Sequence, residues 1–470
     1  MVTILTCLLQ NCGGDFAVAF LSVRRSNMKE EMIRERMMKE ERVRSEEARN
    51  LKILQLVDQI DQQSIFADFA ALKALTDSDQ PYTRRAFTDQ YLAGRAWLVE
   101  RLSALGLTPY YDAIGNLRVR LEGERAETIY FGSHTDTVPG GGLYDGILGV
   151  IAGISVLQSI ITSGEKPQYS LELIDFLAEE SSDWGLSCIG SRGLAGVLSE
   201  QDLARKNPYT DEMLADAIVK MGGEAPFQSD LLSPKSGNCF VELHIEQGPL
   251  LEALDREVGI VSGIVGIDRV EINISGKQNH SGTTPMTLRE DALVGASALI
   301  TKIYQLAIEM AAEAALEQGY FVATCGRLIT TPNAINVVPG AAQLVVDIRF
   351  SRTQYRDRFL EALKEQQSHI EKQYQLSSKL MRLSTTEPVL FDRALQAQAT
   401  SWAERLGYRS HSLLSGAGHD AAFMAMLMPT VMLFIPSVDG LSHHAQELSH
   451  EADIIRGISL FSALILDLAL

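Results

Sequence analysis

Apolar residues recur along most of this chain with one of two periods, and the switching between them outlines its architecture. From residue 51 onward Leu54, Val57, Ile60, Ile65, Phe66 and Phe69 return at helical spacing. A second stripe, Leu92, Trp97, Leu98 and Leu102, predicts a helix over 91–105 closed by Gly106, a residue type that caps helices in the left-handed conformation. Segment 108–123, TPYYDAIGNLRVRLEG, alternates as a hairpin does, with Gly115 in its turn. Short apolar runs follow at 128–131, 171–177, 240–245 and 431–435, with an apolar helix over 149–161 after the first. Such runs suit strands buried on both faces. Between the third and fourth the order is strand (269–274), turn, long helix (291–315), two strands (321–328 and 343–350), helix (356–374) and strand (379–383). That α+β unit, 259–385, interrupts the rest as an insertion would.

Each of the four buried runs leads into residues that bind metals. The first opens 132–149, GSHTDTVPGGGLYDGILG, where a strand passes through a loop holding Pro139, Gly140, Gly141 and Gly142 into a helix. Open α/β sheets present ligands in this way, at the carboxyl ends of their strands. His134 and Asp145 suit a hard to borderline divalent cation, and a carboxylate can bridge two. Asp136 is placed to accept the spare N–H of His134. Taken alone, an HxD pattern is equally a surface turn.

The second run ends on Glu179 and Glu180. Neighbours in an extended chain point to opposite faces, so both acids reach one site only if the backbone turns there. Composition does not say which binds metal and which acts as a base. His244 lies near the end of the third run, and the adjacent His443 and His444 follow the fourth. Collected, His134, Asp145, Glu180 or Glu179, His244, and His443 or His444 suit two cations sharing one carboxylate. The spare glutamate then serves as general base, a role contributing ~100 to 10,000-fold.

Composition narrows the partners. At 470 residues the chain exceeds one core, and 46% hydrophobic with 22% charged residues describes an ordinary globular protein. A net charge of −18 argues against nucleic acid or an anionic membrane as partner. The five cysteines are scattered without a CxxC pair, which points to a reducing, cytoplasmic setting and away from thiolate metal sites. Residues 1–22 are apolar only in patches, too broken to span a bilayer, and 24–50 alternate Lys, Arg and Glu with Met and Ile as a solvated helix or tail does. Residues 1–45 are therefore expected to contribute nothing to chemistry, and methionines at 28, 32, 37 and 38 leave room for a later start.

The motifs GSHTDTVPGGGLYDG, AEE, LHIEQGP, NHSGTTPM, NAINVVPG and SGAGHD resemble, in this order and spacing, the dinuclear-metal amidohydrolases that include N-carbamoyl-L-amino-acid hydrolase, allantoate amidohydrolase and β-alanine synthase. The resemblance covers about residues 50–470. It implies an α/β, zinc-peptidase-like catalytic domain with a mixed central sheet (46–258 and 386–470) carrying an inserted α+β lid or dimerisation domain (259–385). By motif, His134, Asp145 and His244 would hold one metal, and Asp145, Glu180 and His443 the other, with Glu179 the general base and His444 a bystander. Two divalent ions per subunit are implied, zinc first, with manganese, cobalt or nickel as alternatives. Asn336 and Arg349 would bind a substrate carboxylate, His280 would polarise the scissile carbonyl from the partner of a homodimer, and Gln247 and His419 would be further contacts. Arg349 on its own reading is a planar fork suited to a carboxylate, or else an ion-pair partner of Asp347. Where relatives show Gly-x-Arg-Phe after the paired acids, this chain has Ser181, Ser182, Asp183 and Trp184, which puts substrate detail there in doubt.

The implied activity is hydrolysis of a carbamoyl or ureido C–N bond beside a carboxylate, with an N-carbamoyl-L-amino acid as first substrate and allantoate as second. A dipeptidase or aminopeptidase is the competing enzyme class, disfavoured because His244 stands where such peptidases commonly place an aspartate. A non-catalytic relative is disfavoured because no ligand or base is replaced.

Overall fold

A computed structural model describes residues 44–77, 80–227, 237–317 and 319–470, with Leu232 and scattered positions between 32 and 41. Expectations for residues 1–31 lie outside the described residues. The chain divides into two compact units, 1–59 and 60–470. In the first, residues 44–58 are helical.

The second unit starts with the helix Gln62–Ala74, capped by Asp61, whose side chain accepts the Ser64 amide N–H. The apolar stripe that reads as one run from Leu54 to Phe69 is therefore two helices. Helix Asp89–Ser103 is capped likewise by Thr88.

The strands, in chain order, are β1 (Tyr110–Tyr111), β2 (Leu117–Leu121), β3 (Arg125–His134), β4 (Tyr169–Phe176), β5 (Cys239–Ile245), β6 (Val258–Ile264), β7 (Gly266–Ser275), β8 (Asn279–His280), β9 (Phe321–Thr331), β10 (Val337–Val338), β11 (Ala341–Phe350), β12 (Ser377–Thr386), β13 (Val389–Leu390), β14 (Ser410–Ser415) and β15 (Thr430–Ile435). A nine-stranded sheet has the order β1-β2-β4-β3-β5-β15-β6-β13, with β14 paired to β6. It is mixed. The neighbours β4, β3, β5 and β15 run parallel, while β2 and β6 join them antiparallel. Those four parallel strands are the apolar runs of the sequence, buried along most of their length.

Their burial on both faces has a visible cause. Helices Ile147–Ser163 and Glu451–Ala469 pack against one side. On the other, Tyr130, Ile174, Phe176, Phe240, Met432 and Phe434 meet Leu251 and Met424. The parallel order puts all four carboxyl ends at one edge of the sheet.

A second sheet, β12-β7-β11-β9, is antiparallel throughout. Its central strand β11 alternates half-buried and buried positions, the pattern of a sheet with one covered face. The cover is Ala292–Leu316 and Thr353–Tyr374, whose Leu299, Ile303, Phe359 and Leu363 meet Ile272, Leu344, Val346 and Ile348. By length and composition Ala292–Leu316 is apolar enough to cross a membrane, but its Ala292, Ala296, Leu299 and Ile303 are core to this sheet. The boundary at 259 needs correction. Val258–Ile264 pairs with β14 and β15 in the central sheet, because its Val258, Ile260 and Val261 are buried there. Past the Ser275 and Ala341 ends of β7 and β11, β8 and β10 form a two-stranded ribbon pairing His280 with Val337.

Leu344 is fully buried in β11. Leu344→Ala is expected to lower stability by about 2 to 5 kcal/mol, read as an earlier midpoint in urea unfolding.

Candidate metal centre and active site

Six side chains converge at the shared edge of β4, β3, β5 and β15. His134 ends β3 and His244 is the penultimate residue of β5; Glu179 and Glu180 follow β4; His443 follows β15; Asp145 lies between β3 and helix Ile147–Ser163. His244 Nε2 is 3.2 Å and His134 Nε2 3.8 Å from Asp145 Oδ1. His443 Nε2 is 3.4 Å from Asp145 Oδ2 and 3.3 Å from Glu180 Oε1. One carboxylate therefore offers a separate oxygen to each of two donor sets, His134–Asp145–His244 and Asp145–Glu180–His443, each with its ligand atoms within 4.8 Å of one another.

A cation fits both sets. The Nε2 atoms of His134 and His244 are buried with no hydrogen-bond partner, a condition that costs free energy unless something accepts their lone pairs. Imidazole and carboxylate donors without thiolate suit zinc and its neighbours.

Local backbone explains the aim of each group. His134 Nδ1 lies 3.0 Å from the Asp136 carbonyl oxygen and His244 Nδ1 2.9 Å from that of Ile245, so each ring donates its proton there and turns Nε2 to the site. The carboxylate of Asp136 does something other than the sequence suggests. It stands 3.5 Å from His134 Nδ1 and accepts the backbone N–H groups of Glu179 (3.2 Å) and Glu180 (3.1 Å). Ala178, at φ 52°, supplies the turn that lets consecutive acids share a site. Glu179 then reaches within 3.7 Å of His134 while Glu180 meets His443. Gly146, at φ 69°, lies against the His134 ring, where an added Cβ would stand 2.3 Å from Nε2.

Burial works against charge on Asp145, yet the His244 and His443 imidazoles hold its carboxyl well below the usual range. Burial raises the Glu179 carboxyl well above its usual range, with Glu180 adding to this and His134 opposing it. Burial likewise disfavours charge on His134, but Glu179, Asp136 and Asp145 outweigh it and raise that imidazole well above its usual value. Bonds to Asp145 and Glu180 push His443 up to about 10.

Gln247 Nε2 donates to Asp145 Oδ2 (2.9 Å) and to Ser442 Oγ (3.0 Å). His419 packs 4.5 Å from the His244 ring, bonded to Ser415, and burial with His244 beside it lowers its pKa well below the ordinary imidazole value. Other expected residues lie apart from this cluster. His280 is exposed on the β8–β10 ribbon and Asn336 is exposed just before β10, where its carbonyl accepts the Ser281 N–H. That bond is 3.1 Å. Arg349 donates to Asp347 at 2.9 Å and to the Gly416 carbonyl, on the loop that carries His419. His444 is exposed, outside both donor sets. In the divergent segment Asp183 pairs with Arg85, and Trp184 packs on Phe87 and donates to the Glu212 carbonyl.

Sequence reasoning passed over Glu242, Ser442 and Glu447. Glu242 is fully buried beneath His244, bonded to Ser133 (2.7 Å) and to the Ala421 N–H (3.0 Å). Its signal was an acid inside an apolar strand, two residues before a histidine and so on the same face.

Fold and site together define a metal-dependent hydrolase. Residues 130–467 match Peptidase family M20/M25/M40, and the chain belongs to that family. It is 35% identical to an N-carbamoyl-L-amino acid amidohydrolase of Geobacillus stearothermophilus over 80% of this chain and 90% of that protein. Identity to an allantoate amidohydrolase of Bacillus subtilis is 33%, over 83% and 94%. The crystal structure of a hydantoinase/carbamoylase-family amidase from Burkholderia multivorans superposes with a TM-score of 0.78 at 31% identity, covering 87% of this chain and 98% of that one. Within the family, the chain is an amidohydrolase of linear amides, acting on C–N bonds other than peptide bonds.

Raised imidazole pKa values set a pH dependence. Without a cation, the acidic neighbours favour the protonated imidazoles of His134 and His443, and a cation competes with protons there. Zinc affinity is expected to rise with pH, with net proton release measurable by calorimetry in buffers of different ionisation enthalpy. Binding without proton release would contradict it.

Proposed function

We propose that this chain hydrolyses the carbamoyl C–N bond of an N-carbamoyl-L-amino acid, releasing ammonia, carbon dioxide and the amine. The observation that carries this reading is Asp145 offering one oxygen to each donor set while Glu179 stands outside both, 3.7 Å from His134. Two divalent cations, held by His134, Asp145 and His244 and by Asp145, Glu180 and His443, would supply Lewis acidity toward the ureido carbonyl and a more acidic attacking water. Glu179 takes the water's proton and delivers it to the departing nitrogen. A carboxyl held high by burial suits a group that must act as base and then as acid.

The remaining residues orient the substrate. Arg349 takes its carboxylate together with Asn336 of the partner subunit, since Asn336 shares a ribbon with His280, and Gln247 and His419 border the reacting end. His280 Nδ1 accepts the N–H groups of Gly282 (3.0 Å) and Thr283 (3.3 Å), which leaves the ring proton on Nε2, available to an oxyanion. In a homodimer formed through the second sheet and its helices, His280 of the partner subunit donates that proton's hydrogen bond to the scissile carbonyl as the lid closes. The Geobacillus relative supports the carbamoyl substrate, and the Bacillus relative supports allantoate as second choice.

The test is ammonia release by the metal-loaded protein from a panel of N-carbamoyl-L-amino acids, allantoate, ureidoglycolate and dipeptides. Fastest turnover of an N-carbamoyl-L-amino acid is expected; inactivity on every ureido compound overturns the proposal. Glu179→Gln is expected to keep its metal content and lose ~100 to 10,000-fold in kcat, and unchanged kcat removes Glu179 from the chemistry.

A further inference from the structure

Among the six converging side chains, His443 has the least support. Its side chain is 51% exposed, its backbone sits at φ 53°, and residues 441–450 contain neither helix nor strand. Packing and sheet bonds therefore do not fix its position. What does is its neighbour. Ser442 Oγ accepts a hydrogen bond from Gln247 Nε2 (3.0 Å) and donates one to Glu447 Oε2 (3.1 Å). The same Gln247 amide nitrogen donates to Asp145 Oδ2. Glu447 is only 5% exposed, and its backbone N–H bonds back to the His444 carbonyl. Its other oxygen, Oε1, has no hydrogen-bond partner and occupies the space over Gly142, where an added Cβ would lie 1.7 Å away.

We infer that Glu447 is a positioning residue for the second cation: seated on Gly142 and bonded to Ser442, it locks the His443 segment against the loop that carries Asp145. The inference rests on the two-cation reading above. A bare third glycine in the GGG run gives the carboxylate its seat, and a chain of three hydrogen bonds (Glu447 to Ser442, Ser442 to Gln247, Gln247 to Asp145) joins the two loops. Glu447 touches neither substrate nor reacting atoms; it acts through Ser442. In the first donor set His134 and His244 are fixed by β3 and β5, and only Asp145, which both sets share, is linked to Glu447.

Zinc titration of the full-length metal-free chain by calorimetry, with metal content measured after gel filtration, tests this. The native chain is expected to bind two zinc ions. Glu447→Ala is expected to keep the first and to weaken the second by ~10 to 100-fold, the usual effect of losing a group that orients a ligand. Ser442→Ala, which removes one hydroxyl, is expected to do the same, whereas Glu447→Gln, whose amide oxygen still accepts the Ser442 hydroxyl, is expected to restore much of the lost affinity. Two ions bound to Glu447→Ala and Ser442→Ala as tightly as to the native chain overturn the inference, as does equal weakening of both ions. A native chain that binds a single zinc ion overturns the two-cation reading itself, a separate failure.

Discussion

A buried carboxylate with cationic demand on both of its oxygens is the constraint around which this molecule is arranged. Asp145 is almost completely enclosed, and its two oxygens face different imidazoles, His244 on one side and His443 on the other. A lone charge in such a place costs several kcal/mol, so the fold brings imidazoles to it from three strands, β3, β5 and β15, while β4 delivers two further acids. The parallel quartet β4, β3, β5, β15 meets that demand because parallel strands end together. Antiparallel neighbours would send alternate ends away.

Much of this was legible because buried parallel strands announce themselves as apolar runs. The runs at 128–131, 171–177, 240–245 and 431–435 mark the four strands, and the residues just past them are those that meet at Asp145. Periodicity also exposed the second sheet and its two long helices. It misread Val258–Ile264, an apolar stretch as suited to one sheet as to the other, since a strand's allegiance depends on partners distant in sequence. The helix break at Asp61 was similarly hidden, because a cap of one residue leaves the apolar stripe running on.

In the site, residue type proved easier to read than orientation. Nothing in the letters AEE says that Ala178 adopts a left-handed conformation, an unusual choice for alanine, and without that turn the two acids diverge. Nor does HTD reveal that the aspartate side chain answers to backbone amides more than forty residues away while its own carbonyl receives the histidine proton. Arg349 was balanced between a carboxylate fork and a partner for Asp347. Its guanidinium is bonded to Asp347 and also reaches the Gly416 carbonyl, a link between the second sheet and the His419 loop that spacing alone does not disclose.

The amides of Glu179 and Glu180 hang from one bracket, the two oxygens of Asp136, and this yokes two tasks that chemistry treats as separate. Any drift of that bracket moves Glu179 and Glu180 in concert, the proton carrier and the cation ligand of the proposed mechanism. On that mechanism, tuning the scaffold to a different ion and tuning it to a different working acidity draw on one shared anchor.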